Sequence, residues 1–233
     1  MGQLGNIKIS TPTYSETLPS SGAKIRYTPF RVGDEKTLLI AGQSEDKKEM
    51  LRALKTIVGN CVQGAEVEDM ENYDIEFLFL KLRAVSVGET SDVGIACDEC
   101  DAYNSITVDL DAVIVEKQKN HTDVVKINDE LGFKMRGINA EEVSDLDIYD
   151  PDHSIEIVAR SIKQVFTGEE TIDVEPSDLG DLKNLIESMT TDQYEMLQEY
   201  FRTAPKLSKK IEFTCGQCGH ENTKVLEGLS SFF

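Results

Sequence analysis

The spacing of apolar residues changes several times along the chain, and each change predicts a new kind of element. Thr13 to Leu18 and Lys24 to Phe30 are strand-like runs on either side of the turn-rich Pro19-Ser20-Ser21-Gly22, so the N-terminal piece reads as a β-hairpin. A helical rhythm follows. One helix is expected from about Asp34 to Ala41, and a second from Glu45 to Val62, with Ser44 as N-cap and Gly64 at its end. Leu51, Leu54, Ile57, Val58, Cys61 and Val62 share one side of that second helix, which makes Cys61 a small core residue rather than a reactive thiol. A third helix, Tyr73 to Val85, carries Ile75, Phe77, Leu78, Leu80 and Leu82, too dense for a single stripe and therefore packed on two sides.

From Thr90 to Val115 the pattern becomes alternating, with Val93, Ile95, Ile106, Val108 and Leu110 flanking a turn at Cys97 and Cys100. Val124 to Asn128 and Phe133 to Arg136 predict another hairpin around Asp129-Glu130-Leu131-Gly132. Helical spacing then returns: Ile155, Val158, Ala159, Ile162, Val165 and Phe166 recur at steps of three and four, which predicts one helix after Pro151. An acidic connection, Thr167 to Pro176, leads to a helix starting near Ser177 with Leu182, Leu185, Ile186 and Met189 inward. Thr190-Thr191-Asp192-Gln193 has the form of a capping box and opens a last helix, with Tyr194, Leu197 and Phe201 on one side and Pro205 closing it. With almost no linker between them, these two helices are expected to pair antiparallel.

Chemistry concentrates in two Cys-x-x-Cys pairs, Cys97/Cys100 and Cys215/Cys218. Each places two thiols on a tight turn, where both can reach one Zn²⁺ at about 2.3 Å. The long stretch between them must then loop out and return. The expected fold is α+β, with an N-terminal β-hairpin, a helical body, and a split zinc-ribbon-like β module joining Cys97/Cys100 to Cys215/Cys218. Its expected pieces are residues 1–90 (hairpin plus helices), 91–122 with 205–233 (the split ribbon), and 123–204 (hairpin plus helical insertion). In the second pair, Gly216 and Gly219 relieve crowding where the chain turns around a metal, and Ile211, Phe213 and Val225 supply the flanking strands. A closed four-cysteine site is structural, so the pairs speak for architecture before catalysis.

Composition narrows the function. The 233 residues, 39% hydrophobic and 29% charged, suffice for one large domain or two small ones. Against 24 basic residues stand 43 acidic ones, and the formal charge of −19 repels phosphate backbones and anionic membranes. No nucleic acid or membrane partner is expected. Five cysteines, four at metal spacing, fit a reducing compartment better than a disulfide scaffold. The most apolar run, Ile75 to Leu82, is far shorter than the roughly 20 residues of a membrane span. The opening Met-Gly-Gln-Leu-Gly-Asn is discarded as an acylation signal, because Asn6 stands where Ser or Thr is required.

Rival chemistries find little support. Thiol–disulfide exchange needs a stabilised thiolate, whereas Asp98 and Glu99 place negative charge inside the first pair. His220 is not needed as a ligand once four thiolates complete the shell, and His121 and His153 stand singly. No phosphate loop, zinc-protease helix, nucleophile elbow or deaminase pattern occurs, and the protein is not expected to be an enzyme. Lys206, Lys209, Lys210 and Lys224 form the one basic group near the second pair, which keeps open the alternative of a zinc-ribbon module for nucleic acid or polymerase. The terminal Leu229-Ser230-Ser231-Phe232-Phe233 reads either as a tail folded back onto its own ribbon or as an aromatic anchor for a partner's pocket, and paired Phe232 and Phe233 favour the anchor.

Three stretches together resemble the T4-type baseplate hub proteins of contractile-tailed bacteriophages. They are Leu18-Pro19-Ser20-Ser21-Gly22-Ala23-Lys24-Ile25-Arg26-Tyr27-Thr28-Pro29-Phe30, Ile186-Glu187-Ser188-Met189-Thr190-Thr191-Asp192-Gln193-Tyr194 with Phe201 to Leu207, and Phe213 to Asn222 with the ending Leu226 to Phe233. The resemblance implies a structural component of the virion tail baseplate, at the hub or an adaptor beside it, made in the host cytoplasm. It would work by contact with other baseplate or hub subunits, and no catalytic residues are implied.

Overall fold

β1 (Tyr14–Thr17) and β2 (Lys24–Tyr27) pair antiparallel from Thr17↔Lys24 to Tyr14↔Tyr27. Gly22, at φ 70°, closes the turn between them with its N–H on the Leu18 carbonyl. Alternation in β2 buries Ile25 and Tyr27 and exposes Lys24 and Arg26. The computed structural model describes residues 10–43, 47–138, 142, 146 and 151–232. Helices α1 (Val32–Gln43) and α2 (Lys47–Cys61) follow, and β3 (Val62–Gln63) adds a third strand beside β2. Ser44, the expected cap of α2, lies outside the described residues. On α2, Leu54, Ile57, Val58 and Cys61 are all buried, as their spacing predicts. Burial, reinforced by the nearby Asp34 carboxylate, pushes the Cys61 thiol up to about 11, which suits an inert core residue.

Helix α3 (Asn72–Ser86) buries Ile75, Phe77, Leu78, Phe79, Leu80, Leu82 and Ala84, so it is enclosed on more than one side. Buried Lys81 reaches out of that apolar setting to the Asp111 carboxylate, at 2.9 Å. The chain then forms β4 (Thr90–Ala96) and β5 (Tyr103–Asp109), an antiparallel pair whose last register, Ala96↔Tyr103, lies just outside the first cysteine turn. A short strand, β6 (Ile114–Glu116), ends this part.

Residues 116–206 form a second unit. Its sheet runs in the order β10-β9-β8-β7, from β7 (Val124–Lys126), β8 (Leu131–Met135), β9 (Ile162–Thr167) and β10 (Thr171–Asp173). Helix α4 (Pro151–Arg160) precedes β9, and α5 (Leu179–Glu187) and α6 (Thr191–Thr203) follow β10. The helix expected to continue through Phe166 stops at Arg160, and Ile162, Val165 and Phe166 lie on β9. Steps of three and four cannot separate a helix from a helix followed by a strand. What decides is that β8 needs a hydrogen-bonding neighbour, which β9 supplies at Phe133↔Val165 and Met135↔Ile162. The expected acidic connection likewise contains β10, paired Ile172↔Val165. Helix α5 packs mainly on α4, where Lys183 meets Glu156 at 3.2 Å, rather than pairing with α6. The capping box is present: Gln193 donates its N–H to Thr190 Oγ1, and Thr190 donates its N–H to Gln193 Oε1.

The chain returns to the first unit, residues 1–115 with 207–233, through β11 (Lys206–Thr214) and β12 (Glu221–Glu227), antiparallel neighbours in the order β12-β11-β6. A single apolar cluster joins Ile25, Ile57 and Leu78 to Val93, Val108, Leu207, Ile211 and Phe232. The N-terminal hairpin, the helices and the cysteine-bearing strands therefore share one core, where the sequence had suggested separate pieces. Long-range apolar contacts, which local spacing does not encode, unite them.

Glu76 on α3 accepts the Leu229 N–H through Oε2 at 3.2 Å, and so ties the C-terminal turn to the helix. Burial pushes its carboxyl up, and the Leu229 N–H offsets this only in part. A raised carboxyl binds its proton more tightly in the folded state, so stability falls as pH rises out of the ordinary carboxylate range. Glu76→Gln keeps an oxygen for Leu229 and removes the buried charge. It is expected to raise the thermal midpoint at pH 7 and to lose that advantage below about pH 4, in paired melting curves.

Candidate metal centre

The two cysteine turns stand at the tips of two hairpins. Cys97 to Cys100 link β4 to β5, and Cys215 to Cys218 link β11 to β12. In each turn the first cysteine donates its N–H to the carbonyl five residues on: Cys97 to Ala102 at 3.0 Å, and Cys215 to His220 at 2.8 Å. Each first cysteine also accepts, through its carbonyl, the N–H four residues on, from Asp101 and from Gly219. Those two residues hold the left-handed conformation that tight closure requires, at φ 56° and 75°.

All four sulfurs lie within 4.8 Å of one another, although the two pairs are remote in sequence. Across the hairpins, Cys97 Sγ is 3.7 Å from Cys218 Sγ, and Cys100 Sγ is 3.7 Å from Cys215 Sγ. These separations are far longer than a disulfide bond. They match the edge of about 3.8 Å that follows for a tetrahedron with metal–sulfur bonds of about 2.3 Å. Cys97 and Cys215 are buried, Cys100 is half-buried and Cys218 is exposed. The group could hold one metal ion.

Hydrogen bonding sorts the thiols into two kinds. The N–H groups of Cys218 and Gln217 overcome desolvation and hold Cys215 down to about 6. Cys97 is also lowered: desolvation opposes, but the N–H groups of Glu99 and Cys100 and the Asn222 carboxamide prevail. At Cys100 the Ala102 N–H pulls downward, but the sulfur neighbours, Cys218 first, together with desolvation, outweigh it and push the thiol up to about 12. Cys218 is raised as well: the His220 N–H and Cys100 pull downward, but local desolvation and the adjacent Cys215 and Cys97 outweigh them. The two buried sulfurs, Cys97 and Cys215, are thus the lowered pair, and Cys100 and Cys218 the raised one.

Cysteine spacing alone overlooks two further participants, Asn104 and Asn222. The Asn222 Nδ2 donates to Cys97 Sγ at 3.5 Å, and the Asn104 Nδ2 approaches Cys215 Sγ at 3.7 Å. Their signal in the sequence is a repeated Cys-x-x-Cys-x-x-x-Asn, with each asparagine four residues past its second cysteine.

The other candidate residues lie elsewhere. His220 has an exposed side chain and takes no part in the sulfur group. Lys224 is paired with Asp98 and Lys210 with Glu212, so acidic neighbours interrupt the suggested basic group. Phe232, expected to project into a partner, is fully buried in the core of its own unit. Gly228, at φ 72°, turns the chain back, its N–H bonded to the Leu207 carbonyl, and the last turn (Leu229–Phe232) folds inward. Burying an aromatic ring at home outweighs leaving it in water for a later partner. Phe233 lies outside the described residues. Among the described residues, no helix is long and apolar enough to cross a membrane.

Fold and site together define a mixed α/β protein whose two hairpin tips converge on a four-cysteine group able to hold a metal ion. The chain belongs to the T4 bacteriophage base plate protein family, whose model matches residues 11–233. Membership carries a structural role in the phage tail baseplate and, with it, contact with other baseplate subunits. No curated protein and no solved structure matched the chain.

Proposed function

We propose that this protein is a structural subunit of a contractile phage tail, at the baseplate hub or directly beside it, and that one Zn²⁺ joins its two cysteine hairpins into a split zinc ribbon. The observation that carries the metal reading is the 3.7 Å spacing of sulfurs that stand 121 and 115 residues apart in the chain. Four soft thiolates select zinc over hard cations. They also complete its tetrahedron and leave no open position for a substrate, so the role is architectural and not enzymatic. Closure at this point pins residues 97–100 to residues 215–218 and gives the unit a fixed shape against which neighbouring subunits can load. A ribbon that binds nucleic acid or polymerase is the weaker reading, because Lys210 and Lys224 are paired with acids and the chain carries a charge of −19.

Native mass spectrometry with metal analysis tests the site: one zinc per chain is expected, and a protein purified anaerobically without metal would end the ribbon reading. Detection of the chain in the tail baseplates of purified virions tests the assignment to the particle. Proton linkage adds a sharper check. Zinc binding near neutral pH is expected to release protons, since the Cys100 and Cys218 thiols are held raised. Because the ion binds the deprotonated set, affinity rises with pH, and calorimetric titrations across several buffers should show proton release on binding.

A further inference from the structure

The two hairpin tips are related residue by residue. Cys97 corresponds to Cys215, Asp98 to Gly216, Cys100 to Cys218, Asp101 to Gly219, Ala102 to His220, and Asn104 to Asn222. The hydrogen bonds obey the same correspondence. Asn222 Oδ1 accepts the Asp98 N–H at 2.9 Å, and Asn104 Oδ1 accepts the Gly216 N–H at 2.9 Å. Each carboxamide nitrogen donates within its own hairpin, Asn222 to the His220 carbonyl at 3.0 Å and Asn104 to the Ala102 carbonyl at 2.9 Å. It also faces the first sulfur of the opposite hairpin.

We propose that Asn104 and Asn222 are positioning residues for the metal, a reciprocal clasp in which each hairpin shapes the cysteine turn of the other before an ion arrives. The proposal rests on the metal reading above. Each asparagine is oriented by its own bonds, since a flipped carboxamide would set its NH₂ against the backbone N–H it now accepts. Oriented in this way, it fixes the amide that follows the opposite first cysteine and directs a donor at that cysteine's sulfur. Donors to a ligating sulfur set its direction and stabilise its negative charge, as outer partners do in other metal sites. The reciprocity means that neither pair is fully shaped on its own. Asn222 is itself buried, so it is no adaptable surface group.

The test uses the full chain in four versions beside the parent: Asn104→Ala, Asn222→Ala, Asn104→Asp and Asn222→Asp. Asp keeps the oxygen for the opposite amide but has no NH₂ for the sulfur. Co²⁺ is loaded alone, its tetrahedral thiolate spectrum is recorded, and its release to an excess of chelator is timed. Each Ala variant is expected to release metal about 10- to 100-fold faster, with shifted sulfur-to-cobalt bands. The Asp variants should release faster than the parent while keeping the opposite amide protected. Hydrogen exchange on metal-free protein supplies a crossed readout: Asn222→Ala should deprotect Asp98 and spare Gly216, and Asn104→Ala should do the reverse. Parent-like release from all four variants, or exchange that changes only within the mutated hairpin, would overturn the clasp. If an Ala variant does not fold, the Asp version decides by its release rate. Failure of the parent to give a tetrahedral Co²⁺ spectrum would instead count against the metal reading, and the crossed exchange in metal-free protein would then judge the clasp alone.

Discussion

Cys215→Ala is expected to abolish stoichiometric zinc binding and to cause the largest loss of stability of any single change in the chain. Cys215 is buried, and its sulfur meets that of Cys100 across the two hairpins. A structural zinc site contributes on the order of 10 kcal/mol of binding free energy that is also folding free energy. Three remaining thiolates would retain only part of it. A loss on the order of 5 kcal/mol would lower the thermal midpoint of a chain this size by roughly 10–20 °C. Chelation of the parent protein should lower the midpoint further than the substitution does, and chelation of the variant should remove the part that three thiolates retain. Cys61→Ala is the control: it removes a buried thiol from α2 without touching the sulfur group, so zinc stoichiometry should stay at one per chain. Equal midpoints for the parent protein and Cys215→Ala, each with full metal supply, would remove the zinc clamp from the account.

Phe232→Ala follows in size. The ring is fully buried among the apolar residues of the first unit, and the turn carrying it is tied down by the Gly228 and Leu229 amides. Truncating a buried Phe leaves a cavity as well as losing transfer free energy, typically about 3–5 kcal/mol. Denaturant titration of zinc-loaded protein should show the midpoint fall with little change in slope. The anchor expected from the sequence makes the opposite forecast: unchanged stability with weakened assembly. The difference lies in where the ring is buried. Two phenylalanines at a chain end call for an apolar site, but their position does not say whether that site belongs to the same chain or to another.

Several features were legible because their cause is local. The N-terminal hairpin follows from strand-like runs around Pro19-Ser20-Ser21-Gly22, where Gly22 supplies the positive φ the turn needs. Cys61 could be placed in the core from its step along α2, and Thr190 with Gln193 announced the start of α6 from four residues. Misreadings occurred where local signals were degenerate. Ile162, Val165 and Phe166 satisfy helical spacing and also fill a strand, and only the pairing of β9 with β8 and β10 chose between the two. The short link between α5 and α6 suggests a helix pair, but α5 packs on α4 instead, and all three helices feed one apolar cluster.

By itself, the sequence determined which four cysteines could serve a metal, because thiols paired on a tight turn carry their chemistry with them, and it determined the membership of residues 11–233 in the baseplate family. Only the tertiary structure decided that the two pairs meet at tetrahedral spacing, that Asn104 and Asn222 each serve the opposite hairpin, and that Phe232 is enclosed in its own unit. The physical reason is common to all three. They are contacts between residues far apart along the chain, formed once a shared apolar core has brought β4, β5, β11 and β12 together, and no local pattern of residue types specifies which distant partner a side chain will meet.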